Sequence, residues 1–390
     1  MRAPCPARSA RLSAFGAALV RAVVISSFLA GCWRQPSSGA TVSTVPVDTI
    51  WYVSVRARED GRDTRRLADS LEYGLVVNAV KSAGDPLTQH VEITLLDSVR
   101  LTQRDFANAL RARARDASRD DSLVLLYVHG FGTSLREARE HAAQARVRSR
   151  SSAPWVVFCW PSRGSGVAWP SASHIFSRAY LEDSAAAAAS RPAFAQTVRD
   201  LLPVVGGAHL LLVAHSLGAQ IVGESLAGDS ALRDALGADP LRALAFFAPD
   251  VETRRFRDHI LSATSLLARR VVVYVSVDDR VLTLSRSFNK SERAGLIRGP
   301  AKAHPGVETV DATDGTAAED RLQRVLGSHH ALRRASAALF DLVHIVGRSR
   351  DAACRLTLGT ATGVEQGVWR LTRLPLPPLS VLEACSPSRP

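Results

Sequence analysis

An apolar run that ends in a serine bracketed by small residues constrains this chain more than any other feature. Residues 208–218 read AHLLLVAHSLG, apolar enough for a buried strand, and the AQIVGESLA that follows has the composition of a helix packed on a sheet. Between them, Ala214-His215-Ser216-Leu217-Gly218 matches the strand-turn-helix form of G-x-S-x-G, the nucleophile elbow. Small residues two before and two after Ser216 let the backbone turn sharply enough to present the hydroxyl above the sheet. Ala214 replaces the first glycine, and a single methyl is usually tolerated there. Taken alone, the five residues also describe a serine in an ordinary strand-to-helix loop, so the motif needs partners.

Those partners follow in order. Residues 271–276 (VVVYVS) form a second apolar strand that runs into Asp278 and Asp279, just past a strand's C-terminal end, where open α/β sheets place their sites. Gly327-Ser328-His329-His330 comes later, ahead of a helical pattern over 332–346. Ser216, then Asp279, then His329 is the chain order of α/β-hydrolases. A serine hydroxyl is a poor nucleophile at neutral pH. A histidine must take its proton, and a carboxylate must fix that histidine's tautomer. The competing reading of Asp278 and Asp279 is a turn or helix N-cap, and that of the histidines is an exposed helix start. The spacing predicts no metal, since H-E-x-x-H is absent and no Glu or Cys stands near the histidines at ligand spacing.

Acyl transfer also needs donors for an oxyanion. Residues 123–128 (LVLLYV) predict a strand running into His129-Gly130-Phe131-Gly132-Thr133. One donor would be the N–H of Leu217, after the nucleophile, and the other that of Phe131 in this loop. A phosphate cradle is the other use of such a loop, but no Walker lysine follows.

Seven segments together resemble the bacterial α/β-hydrolases classed as domain of unknown function 900, from about residue 51 to about 346. They are YVHGFGTSLREA (127–138), FCWPSRG (158–164), YLEDSAAAAASR (180–191), VAHSLGA (213–219), FFAPDVETRRF (246–256), YVSVDDRVLTLSR (274–286) and GSHH (327–330). The resemblance implies an esterase-like or lipase-like α/β-hydrolase fold. It favours Asp279 over Asp278, because the family's Ser-x-x-Asp-x-Ala-Leu falls on Ser276, Asp279 and Leu282, with Val281 for the alanine. Counting back from Asp341-Leu342 favours His329 over His330. Besides Ala214, Leu217 departs from the usual Met and Gly132 from the usual Asn.

The chain's 46% apolar content suffices for a large core, and short apolar runs alternate with helix-like segments. This predicts an α/β fold with a mostly parallel central sheet, helices on both faces and an antiparallel N-terminal edge punctuated at Tyr73-Gly74 and at residues 82–86. The segment from Pro161 to Asp183 reads as a lid loop lining an acyl pocket, or equally as a surface loop. The alanines at 185–189 read as the start of a helix that Ser190-Arg191-Pro192 interrupts or restarts.

The first residues read as an export signal. Arg2, Arg8, Arg11 and Arg21 precede the apolar 22–30, and Leu29-Ala30-Gly31-Cys32 resembles a lipobox. That resemblance implies cleavage before Cys32 and lipid attachment to its sulfur, which would place the protein on a membrane of the cell envelope. A plain secretory signal is the other reading. The expected organisation is signal 1–31, polar tether 32–48, catalytic domain 49–349 and C-terminal extension 350–390. Cys354 and Cys385 flank the extension and could form a disulfide in an oxidising compartment, or remain two separate thiols. The net charge of +12 loses four arginines and no acid with the signal, leaving +8. The excess is scattered arginine without an aromatic-interleaved stripe, which argues against nucleic acid as a partner.

The sequence therefore predicts a serine hydrolase of carboxylic esters, without cofactor, using Ser216, His329 and Asp279. Asp250, one strand earlier, is the alternate acid. Two other functions fit the same residues: a catalytically silent envelope scaffold on this fold, or an amidase or peptidase with the same triad.

Overall fold

The computed structural model describes residues 47–83, 90–115, 122–164, 173–297, 303–314, 329, 336–372 and 377–385. Cys32 and His330 lie outside them. Eleven described strands form one sheet in the order β10-β11-β9-β8-β7-β6-β4-β5-β1-β2-β3. The middle of it comprises β4 (Val124–Val128), β5 (Trp155–Cys159), β6 (Leu210–His215), β7 (Ala243–Phe247), β8 (Val271–Val275) and β9 (Glu308–Asp311), all parallel. Strands β4 to β8 are buried along their whole length, which is why they read as continuous apolar runs rather than as alternation.

Successive side chains nevertheless divide between two cores. Val124, Leu126, Val128, Leu210, Leu212 and Ala214 face one, and Leu125, Tyr127, Leu211 and Val213 the other. The first core is covered by α1 (Gln103–Arg115), α4 (Arg191–Val205), α5 (Gly218–Gly228), α6 (Ser230–Ala238) and α7 (253–264). The second is covered by α2 (Leu135–Arg148) and by α9 (336–346). Two further helices, α3 (Ser173–Ala189) and α8 (Arg280–Asn289), both reach Asp250, through Tyr180 and Ser285. Because the central strands are parallel, the loops after β4, β6, β7 and β8 emerge at one edge.

The N-terminal edge is antiparallel as expected: β1 (Val47–Glu59) runs parallel to β5, and β2 (Arg62–Ala83) and β3 (His90–Leu101) turn back on it. Gly74, however, is no punctuation mark. It pairs with Tyr52 inside β2, where a Cβ would stand 2.4 Å from the Tyr52 hydroxyl, so the position needs glycine for the ring rather than for a turn.

Three other expectations change. Residues 173–183 of the supposed lid loop are helical, in α3, and the alanines 185–189 close that helix rather than open the next. The boundary at 349/350 is not a structural one. Strand β11 (Val368–Leu371) pairs with β9, and β10 (Ala361–Glu365) with β11, so the extension completes the sheet. Buried charge secures it. Arg355 Nε lies 2.7 Å and Nη2 3.0 Å from Asp341, which also accepts from the Tyr274 hydroxyl at 2.6 Å. Arg355 Nη1 donates to Glu308 at 2.7 Å, and Arg270 pairs with the same carboxylate. Cys354 and Cys385 come together with Ile345 in a small apolar cluster, and this packing adds to the ion cluster in holding the tail.

Candidate active site

Ser216 sits between β6 and α5 with φ +51, a left-handed conformation that a serine rarely adopts. Its neighbours explain the small residues around it. A Cβ on Gly218 would lie 2.6 Å from the His129 carbonyl oxygen, and one on Gly130 would lie 2.9 Å from the Ser216 Cβ. The loop after β4 thus abuts the serine through two glycines that cannot be enlarged. The Ala214 methyl, by contrast, is absorbed in the core. The strained residue is held by its backbone: Ser216 N–H donates to Phe247 at 2.9 Å, and its carbonyl accepts from Asp250 N–H at 3.1 Å.

Asp279 and His329 meet. His329 Nδ1 lies 2.8 Å from Asp279 Oδ2, and both side chains are buried. The helix-cap reading of Asp279 also holds, on its other oxygen: Oδ1 accepts from the Leu282 N–H at 2.8 Å and caps α8. One carboxylate so fixes a helix start and an imidazole together. His215, next to the serine, ties this pair to the elbow. Its Nε2 donates to the His329 carbonyl at 2.9 Å, and the two rings lie 5.0 Å apart.

The alternate acids are engaged elsewhere. Asp278 is exposed, and its Oδ1 accepts from Ser276 Oγ at 2.9 Å. Asp250 accepts from the Tyr180 hydroxyl at 2.9 Å and from Ser285 Oγ at 2.7 Å, and pairs with Arg293 at 3.5 Å. Burial pushes its carboxyl above the usual range, against the pull of Arg293.

Leu217 opens α5, where helix-terminal N–H groups favour negative charge, and Phe131 follows the Gly130 that touches Ser216. The Phe131 ring packs on Tyr180, centroids 5.9 Å apart. Beneath this turn His129 stacks on Trp160 at 5.1 Å, with 9° between the planes, and Nδ1 contacts the Gly130 carbonyl at 3.1 Å. Burial, and then the nearby Arg56 charge, push the His129 imidazole down to about 3, so it stays neutral. Sequence reasoning missed two groups that brace the turn, Arg56 from β1 and Asp183 from α3. Arg56 Nη2 donates to the carbonyls of Thr133 at 3.0 Å and Ser162 at 2.9 Å, and Asp183 accepts from Gly132 N–H at 3.0 Å. Neither carries a local signal, since their partners are 77 to 106 and 51 residues away. Among the described residues, no three His, Cys, Asp or Glu side chains converge as a metal site, and no helix is long and apolar enough to cross a membrane.

A family model described as an alpha/beta hydrolase of unknown function (DUF900) matches residues 103–331. No curated protein matches the chain. Among solved structures, an esterase/lipase from an uncultured bacterium is 13% identical, covers 63% of this chain and 92% of its own, and superposes with a TM-score of 0.27. EstE5, soaked with ethyl alcohol, is 13% identical over 68% of this chain and 85% of its own, with a TM-score of 0.29. A prolyl endopeptidase is 11% identical over 73% of this chain and 46% of its own, with a TM-score of 0.26.

Proposed function

The chain belongs to the DUF900 alpha/beta hydrolases, and from that premise we propose that it is a serine hydrolase cleaving carboxylic esters through an acyl-enzyme. The observation that carries this reading is the left-handed Ser216 directly after His215, whose ring lies 5.0 Å from that of His329, the imidazole whose Nδ1 is held 2.8 Å from the buried Asp279 carboxylate. In the proposed reaction Ser216 Oγ attacks the ester carbonyl carbon while His329 Nε2 takes its proton. Asp279 keeps the imidazole in the tautomer that leaves Nε2 basic and stabilises the imidazolium. The N–H groups of Leu217 and Phe131 receive the charge that develops on the carbonyl oxygen. Collapse of the tetrahedral intermediate breaks the ester C–O bond, and the departing alcohol leaves with the proton from His329. Water then repeats the sequence on the acyl-Ser216, with His329 as base, and releases the acid.

A fluorophosphonate probe tests this, followed by mass spectrometry of the modified peptide. Labelling at Ser216, abolished in Ser216→Ala and accompanied by p-nitrophenyl ester hydrolysis, is the expected result. A chain that neither labels nor turns over ester would be a silent scaffold. We further propose attachment to a membrane through a lipid on Cys32. Radiolabelled fatty acid should enter the wild-type chain and not Cys32→Ala; equal incorporation would end that proposal.

A further inference from the structure

The turn that follows Phe131 is gripped by buried polar groups from three distant stretches. Asp183 on α3 is 1% exposed, and its Oδ2 accepts from the Gly132 N–H at 3.0 Å and from Ser162 Oγ at 2.5 Å. Its Oδ1 accepts from the Arg163 N–H at 3.0 Å. Ser162 Oγ in turn accepts the Thr133 N–H at 3.0 Å, and Arg56 holds the Thr133 carbonyl. The N–H of Gly132, the N–H of Thr133 and the carbonyl of Thr133 are therefore all assigned. On the other side Gly130 is pressed against Ser216. Phe131 lies between two fixed flanks, in a stretch whose glycines would otherwise leave it free, Gly132 having φ +63.

A buried carboxylate is an expensive way to gain stability alone. Burial pushes the Asp183 carboxyl upward even with its hydrogen bonds pulling the other way. A donor that must meet a developing oxyanion, by contrast, gains from every contact that fixes its direction before the reaction begins.

We infer that Asp183 is a positioning residue for acyl transfer: by holding the Gly132 N–H it aims the Phe131 N–H at the oxyanion, and it couples that aim to helix α3. This inference rests on Ser216 being the nucleophile. Asp183 itself touches no reacting atom.

The test compares wild type, Asp183→Ala, Asp183→Asn and Ser162→Ala as full chains. Each is assayed with a p-nitrophenyl ester and with a trifluoromethyl ketone, which forms a tetrahedral oxyanion adduct with a serine nucleophile. Asp183→Ala should lower kcat by ~10²-fold with little change in KM, the size of effect seen when an oxyanion donor is lost. Affinity for the ketone should fall in step with kcat/KM across the variants. Asp183→Asn keeps an acceptor oxygen for Gly132 and should recover most of the rate. Ser162→Ala, which frees the Thr133 N–H, should fall between wild type and Asp183→Ala. A purely structural role would lower the unfolding midpoint and leave kcat per folded molecule and ketone affinity unchanged; that result overturns the inference. If Asp183→Ala does not fold, wild-type kcat and ketone affinity in Ser162→Ala overturn it equally. Failure of the underlying reading looks different, because wild-type Ser216 would then not take the fluorophosphonate at all.

Discussion

Asp250 and Asp279 end neighbouring strands, β7 and β8, and both are buried, yet their oxygens meet opposite surroundings. Asp250 receives two hydroxyls and a guanidinium, from α3, α8 and the segment after α8. It joins elements. Asp279 divides itself between a backbone N–H and an imidazole. A strand's C-terminal end marks where a carboxylate can serve, and the partners of its oxygens decide which service it performs.

The two asparagine variants probe that division most strongly. Asp279→Asn should lower kcat by ~10³–10⁴-fold, because an amide no longer holds the imidazole in the productive tautomer. Its unfolding midpoint should stay near wild type, since Asn caps a helix about as well as Asp. Asp250→Asn should reverse the pattern, lowering the unfolding midpoint because the amide nitrogen cannot accept a hydroxyl as the carboxylate oxygen does, with kcat near wild type. Ester hydrolysis and urea unfolding of both variants measure this. Full turnover in the Asp279 variant with loss in the Asp250 variant would transfer the acid's role.

Asp341 is another buried carboxylate, and like Asp250 it is consumed by structure. Arg355→Met should cost ~3 kcal/mol or more by leaving Asp341 uncompensated, while adding Asp341→Leu should restore part of the loss, because an apolar pair avoids the desolvation of both charges. Turnover should be unchanged in both. A single variant as stable as wild type in urea would mean that the ion cluster does not secure the tail.

Buried groups of opposite charge type should also separate by pH. The His129 imidazole is lowered from 6.5 to about 3, so its contribution is complete above pH ~6.5 and is lost as pH falls toward ~3. The Asp250 carboxyl is raised, so its contribution is complete below the ordinary carboxylate range and is lost as pH rises through its folded value. Between pH ~6.5 and ~4.5 the histidine should cost ~2–3 kcal/mol of stability, at 1.36 kcal/mol per unit. Urea unfolding across that range should show the loss in wild type and a flatter profile in His129→Phe, which keeps a ring on Trp160. An equally steep profile in both would locate the proton uptake elsewhere.

The elbow, the strand ends and the order Ser216, Asp279, His329 are legible because each is a local pattern: an apolar run, a punctuating small residue, a polar group just past it. The antiparallel edge is legible for the same reason. Asp183 and Arg56 are not, because their partners lie far along the chain and neither flank distinguishes them from a surface charge. The last strands escape notice because β10 is largely exposed at the sheet's edge and so lacks the apolar run that announces β4 to β8. The extension before it is secured by Arg355, whose burial depends on Asp341 and Glu308 rather than on neighbours in sequence.

Asp278 offers the finest separation, one residue from Asp279 and exposed where its neighbour is fully buried. Its carboxylate accepts from Ser276 Oγ and its N–H donates back to the same oxygen at 3.1 Å, a local turn at the surface. Asp278→Ala removes one of these two bonds and keeps the other. Water can replace what is lost, so stability should move by no more than ~0.5 kcal/mol. The turn sits just before the cap of α8, and any slackening there would reach His329 only through Asp279, whose Leu282 N–H bond is untouched. Turnover should therefore fall by less than ~3-fold, the equivalent of under ~0.7 kcal/mol in the barrier. A loss as large as that of Asp279→Asn would mean that the imidazole draws on the exposed carboxylate, and that burial is not what distinguishes the pair.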